Sequence, residues 1–92
     1  MAVGLSIRVA SEKGDPVLVL AGELDIGTAD PLDRRLAALS HVHALVVNCA
    51  LLTFCDTRGL AVLVRHRPLK IRTPHPRFRR LLEIAGLSSL IE

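Results

Sequence analysis

An α/β fold, a mixed central sheet of about four strands with three helices, is what this chain predicts, and three observations carry it. A turn cluster, Glu12-Lys13-Gly14-Asp15-Pro16, separates two apolar stretches, so the first two strands should form an antiparallel hairpin. Two later strand-like stretches, the apolar Ala44 to Cys49 and the alternating Leu69 to Arg72, are interleaved with segments whose apolar residues recur at helical spacing. Pro76 and Gly86 bracket a last helix, at the positions where proline opens a helix and glycine closes one. Alternation of strand and helix packs as two layers around one core. With 92 residues the chain makes a single domain, 1–92.

Taken in order, Leu5 to Val9 alternates apolar and polar, a half-buried strand near a sheet edge. Val17 to Ala21 returns beside it, and its near-continuous apolar run predicts burial on both faces. Gly22 to Gly27 reads as a loop, and Thr28 as the cap of a helix carrying Leu32, Leu36 and Leu39 on one stripe. Ala44 to Cys49 is the central buried strand. The helix that begins near Thr57 turns Leu60, Leu63 and Val64 inward and Arg65 and Arg67 outward, and Pro68 stops it. Leu69 and Ile71 alternate with Lys70 and Arg72 on a short edge strand. Thr73-Pro74-His75-Pro76 restarts the chain as a helix lined by Phe78, Leu81, Leu82 and Ala85, with Gly86 as a left-handed stop and Leu87 folding back.

Composition narrows the function. Half the residues are hydrophobic, yet the only aromatics are Phe54 and Phe78, so the core is aliphatic. No apolar run reaches the roughly 18 residues of a membrane span, and no basic-then-apolar leader opens the chain, which points to the cytoplasm and away from membranes. Cys49 and Cys55 are too few for a disulfide framework and lack zinc-site spacing. Cys49 reads as a small buried hydrophobe and Cys55 as a reachable thiol. No metal or other cofactor is implied. The net charge of +3 gathers in the last third, at Arg65, Arg67, Lys70, Arg72, Arg77, Arg79 and Arg80. Without interleaved aromatics this is a solvated face or a surface for an acidic protein before it is a nucleic-acid site. No nucleophile–base pair, phosphate-binding glycine loop or carboxylate cleft appears, so an enzyme is not expected.

The most informative stretch is Phe54-Cys55-Asp56-Thr57-Arg58-Gly59-Leu60, lying between a strand and a helix. It sets an acid and a hydroxyl at a helix N-terminus, where free N–H groups and the helix dipole favour negative charge. On local evidence Thr57 is an ordinary helix cap; it is also a hydroxyl that a kinase could modify. Read with Gly22-Glu23-Leu24-Asp25 and with Pro76-Arg77-Phe78-Arg79-Arg80-Leu81-Leu82-Glu83-Ile84-Ala85-Gly86-Leu87, the stretch resembles the STAS-domain family, and more closely its bacterial anti-sigma factor antagonists.

That resemblance implies a single STAS-like domain and a protein-binding switch. The unphosphorylated antagonist would bind an anti-sigma factor of the serine/threonine kinase type and release it once the hydroxyl after the motif aspartate is phosphorylated. In this sequence that hydroxyl is Thr57, and the implied partner surface comprises Asp25, Ile26, Asp56, Arg58, Gly59 and Leu60. Arg58 departs from the small hydroxyl residue common there; it would pair with a phosphate or, structurally, with Asp25 or Asp56. Leu60 either presents the loop or belongs to the core. The alternative is a STAS scaffold or transport-complex subunit without phosphorylation. Only nineteen residues separate Asp56 from Pro76, short of the family spacing by about two helical turns, ~11 Å. The tight crossover predicts an incompletely paired edge strand at Leu69 to Arg72, and a monomer or weak dimer.

Overall fold

The computed structural model describes residues 4–66, 68–72 and 74–92. The chain runs β1 (Leu5–Glu12), β2 (Asp15–Leu24), α1 (Ala29–Ala38), β3 (Leu45–Cys55), α2 (Thr57–Arg65), β4 (Leu69–Arg72), α3 (Pro76–Ile84) and a 3-10 turn at Ser88–Leu90. The strands form one sheet in the order β1-β2-β3-β4. β1 pairs antiparallel with β2, and β2, β3 and β4 are parallel, so the sheet is mixed as the pattern predicts. Lys13 and Gly14, with φ of 53° and 86°, make the two-residue turn that joins Glu12 to its partner Asp15. Two positive φ values match the right-handed twist of a hairpin.

All three helices contribute to one core. Leu32 and Leu36 of α1, Leu60, Val62 and Leu63 of α2, and Phe78 and Leu82 of α3 cluster with Leu18, Leu20, Val47, Cys49, Leu69 and Ile71 of the sheet. The cross-strand pairs Leu18↔Val47 and Val47↔Ile71 place those side chains in one row on the helix-covered face. The opposite face carries the next row, Arg8, Val19, Asn48 and Arg72, all exposed or half-buried. Val17 to Ala21 is buried on both faces only at its start: Val17 is buried, whereas Val19 and Ala21, on the same face away from the helices, are half-buried.

The strands are longer than their patterns suggest. β2 continues through Gly22, Glu23 and Leu24, so the loop starts at Asp25 and not at Gly22. β3 continues to Cys55, through register shifts between Val19/Ala21 and Gly22/Glu23 of its partner. Each shift places an extra β3 residue opposite β2, which breaks the two-residue alternation by which a strand is recognised.

The short crossover is accommodated. α2 ends at Arg65, and all four residues of β4 pair with Leu45 to Asn48 of β3. The outer edge of β4 is covered as well: Ile71 bridges Ile91, the Glu92 N–H donates to the Ile71 carbonyl at 2.8 Å, and Lys70 Nζ reaches the Ser89 carbonyl at 3.0 Å. The incompletely paired strand open to a second chain is thus corrected, because the C-terminal segment occupies that edge. Arg67 and Thr73, assigned above to an outer helix face and a turn, lie outside the described residues.

α3 behaves as its sequence predicts at both ends. Pro76 starts it, and His75 Nδ1 accepts from the Arg77 N–H. Gly86, at φ 75°, closes it: the Leu87 N–H bonds to the Leu82 carbonyl at 2.8 Å and the Gly86 N–H to that of Glu83 at 3.1 Å, a Schellman stop. Ala85, expected to line the helix, is exposed because it is already the C-terminal cap.

Candidate functional site at the carboxyl ends of β2 and β3

Parallel strands bring their carboxyl ends to one side of a sheet, where the following loops meet. Here the pairs Glu23↔Phe54 and Leu24↔Cys55 do this, so that Asp25 follows one strand where Asp56 follows its neighbour. The Asp56 N–H donates to the Leu24 carbonyl at 3.2 Å and ties the two loops together.

Asp56, not Thr57, caps α2. Its backbone is extended (φ −99°, ψ −177°), and Oδ1 accepts the Gly59 N–H at 2.9 Å. The capping role assigned to Thr57 is corrected by one position. The physical reason is that a cap must precede the first helical residue, which Thr57 is. Thr57 is left exposed, and its hydroxyl has no hydrogen-bond partner among the described residues.

Asp25 shapes its own loop. Oδ1 accepts from the N–H groups of Gly27 and Thr28 at 2.9 and 3.1 Å. Thr28, expected to cap α1 through its side chain, faces backward instead: its hydroxyl accepts the Asp25 N–H at 2.9 Å and donates to the Glu23 carbonyl at 2.8 Å. These bonds fix the loop that projects Ile26, which is 70% exposed.

Gly59 and Leu60 lie below the surface. Leu60 is 7% exposed and packs in the core. A Cβ at Gly59 would stand 2.5 Å from Leu24 Cγ and 2.9 Å from the Leu24 carbonyl oxygen. The glycine's close approach is therefore to β2 of its own chain. Arg58 is exposed and, among the described residues, pairs with neither Asp25 nor Asp56, so the structural ion pair weighed for it is absent. Of the seven residues, the structure brings Asp25, Ile26, Asp56, Thr57 and Arg58 to this surface and sets Gly59 and Leu60 beneath it.

Cys55 is not a ready thiol. Burial and the neighbouring Asp56 carboxylate push it up to about 12, and its Sγ–H points at the Asp56 carbonyl oxygen at 3.4 Å. Burial lifts Cys49 likewise, to about 12. The sequence reading missed Leu51 and Phe54, exposed at 61% and 49%. The register shifts turn both away from the core, and no local pattern announces where an extra residue will fall.

Among the described residues no group of His, Cys, Asp and Glu could hold a metal ion, and no helix is long and apolar enough to cross a membrane. No curated protein matches the chain. Among solved structures it is similar to an anti-sigma factor antagonist from Mycobacterium paratuberculosis, with a TM-score of 0.85 and 23% identity over 96% of this chain and 83% of that one. It is similar to SpoIIAA in its unphosphorylated form, at 0.78 and 20% over 95% and 86% of the two chains. The phosphorylated Bacillus cell fate determinant SpoIIAA gives 0.73 and 17% over 95% and 89%. These likenesses establish a SpoIIAA-like fold. A family model described as "Mlab, STAS domain" matches residues 7–92, nearly the whole chain, and the protein belongs to that STAS-domain family.

Proposed function

We propose that the chain is an anti-sigma factor antagonist, a non-enzymatic cytoplasmic switch that sequesters an anti-sigma factor of the serine/threonine kinase type and is released by phosphorylation at Thr57. One observation carries this: Thr57 is an exposed, unengaged hydroxyl at the first residue of α2, because Asp56 already fills the cap. A phosphate there adds nearly two negative charges and three acceptor oxygens. At a helix N-terminus it suits the fold, while beside Asp56 and Asp25 it sets like charge on the face a partner would meet. Release without unfolding follows from that asymmetry. Asp25, Ile26 and Arg58 would make the contact, with Gly59 and Leu60 holding the loop from below. The similar structures, two of them antagonists differing in phosphorylation, support the reading.

A scaffold or transport subunit without phosphorylation would be favoured by a buried Thr57, and Thr57 is exposed. The test incubates the protein with a candidate anti-sigma factor kinase and ATP. Phosphosite mapping should find Thr57 and little else; Thr57→Ala should bind the kinase permanently, and Thr57→Glu weakly. Modification at Thr53 or Ser40, or none at all, would end the switch reading.

A further inference from the structure

β4 pairs only with Leu45 to Asn48, whereas β3 runs on to Cys55. Among the described residues the last seven of β3 pair with no strand on that side, and the start of α3 faces the end of β3 across a gap. A cavity of about 190 Å3 opens between them. Its floor and walls include Leu52, Phe54, Cys55 and Phe78, and His75 and Arg77 stand at its rim. It is smaller than the roughly 300–1,000 Å3 of small-molecule sites, and holds one side chain rather than a metabolite.

The charge around it is one-sided. No carboxylate lines the cavity, and Arg77 makes no ion pair among the described residues. An uncompensated cationic rim attracts negative charge and disfavours another basic surface. Phe54, half-exposed where most of the chain's apolar bulk is buried, provides the apolar wall.

We propose that this cavity is a docking socket for an acidic segment of the partner protein, which inserts one apolar side chain against Phe54 and Phe78 while a flanking carboxylate meets Arg77. The inference rests on reading the chain as a protein-binding module, and names the chemistry its partner presents. It also gives a use to Arg77, a charge of the C-terminal third that the Thr57 loop does not use.

The probe is a synthetic acidic heptapeptide with a central leucine flanked by glutamates, titrated to millimolar concentration into the isotope-labelled full chain and followed by amide shifts. Expected are changes clustered on Leu52 to Cys55 and on His75 to Phe78, about tenfold weaker binding when the leucine becomes alanine, and loss of the changes with Arg77→Glu. That substitution is at an exposed position in the first turn of α3, where an acid suits the helix dipole, so folding is spared. No shift, equal shifts with the alanine peptide, changes centred elsewhere, or the same amides shifting with protein concentration alone would each overturn the proposal. Neither the kinase nor Thr57 takes part, so failure here leaves the switch standing, and failure of Thr57 phosphorylation leaves the socket standing.

Discussion

Gly59→Ala sets two physical effects against each other. Gly59 lies in the first turn of α2, and replacing glycine by alanine inside a helix ordinarily gains about 1 kcal/mol. Here the new methyl would fall 2.5 Å from Leu24 Cγ, 3.1 Å from its Cδ2 and 2.9 Å from its carbonyl oxygen. The leucine is fully buried, and its carbonyl is held by the Asp56 N–H, so neither group can step aside freely. Overpacking of this kind costs roughly 1–3 kcal/mol, and more when backbone must move. The clash wins, leaving a net loss of up to about 2 kcal/mol after the helix gain is subtracted. For a domain of this size that lowers Tm by up to roughly 16 °C in a thermal melt followed by circular dichroism. A double-mutant cycle locates the cause. Leu24→Ala should cost about 2–5 kcal/mol alone, and distinctly less in the Gly59→Ala background, because it relieves the crowding. A Gly59→Ala variant that melts at or above the parent temperature would refute the argument, showing that α2 can slide off β2 at no cost.

Three other outcomes follow from the geometry. Asp56→Ala should lose about 1 kcal/mol in urea denaturation, while Asp56→Asn, which keeps the acceptor for the Gly59 N–H, should lose only a few tenths. Leu60→Ala should destabilise by roughly 2–5 kcal/mol as a core truncation, and an affinity for the partner that drops no further than the unfolded fraction requires would confine Leu60 to a supporting role. Asp33 sits 2.6 Å from His66 Nε2 and 3.1 Å from Arg65 Nη1; the His66 hydrogen bond, then Arg65, hold its carboxyl below the ordinary 3.8. A lowered folded-state value means stability present above about pH 3.8 and lost as pH falls through the folded value, so Asp33→Asn should flatten the acid limb of a stability–pH curve measured by chemical denaturation.

Much of this was legible from residues alone, for reasons that differ from element to element. The stop of α3 depends on one glycine and the residue after it, and both bonds formed as the local pattern requires. Element order needed only apolar runs and turn residues. The candidate site was half legible: its acids and hydroxyl could be picked out, but capping moved from Thr57 to Asp56 because helix starts are uncertain by a residue, and a one-residue shift exchanges the bound group for the free one. Thr28 was misjudged for the same reason that Asp25 was underread, since each satisfies the other's loop and neither bond shows in sequence. Beyond Cys49 the apolar residues of β3 lose their alternation. Two register shifts flip the strand's faces and then restore them, sending Leu51 and Phe54 outward and Leu52 inward. Such shifts are fixed by the pairing strand, which lies some thirty residues away in the chain.

Arg72 engages acids at both margins of the sheet. Its Nη1 lies 2.6 Å from Glu12 Oε2 at the end of β1, and its Nε 2.6 Å from Glu92 Oε1, with both interactions strengthening its hold on its proton. Edge strands ordinarily fray one at a time, each at its own rate. A single guanidinium shared between β1, β4 and the C-terminal segment makes their fraying cooperative, since losing any one member weakens the hold on the others. The linkage is partly exposed, so salt screens it, and raising ionic strength should loosen both margins together. It grips the end of the sheet remote from Thr57. The loops after β2 and β3 therefore owe nothing to this linkage, and hold through their own hydrogen bonds when salt loosens the margins.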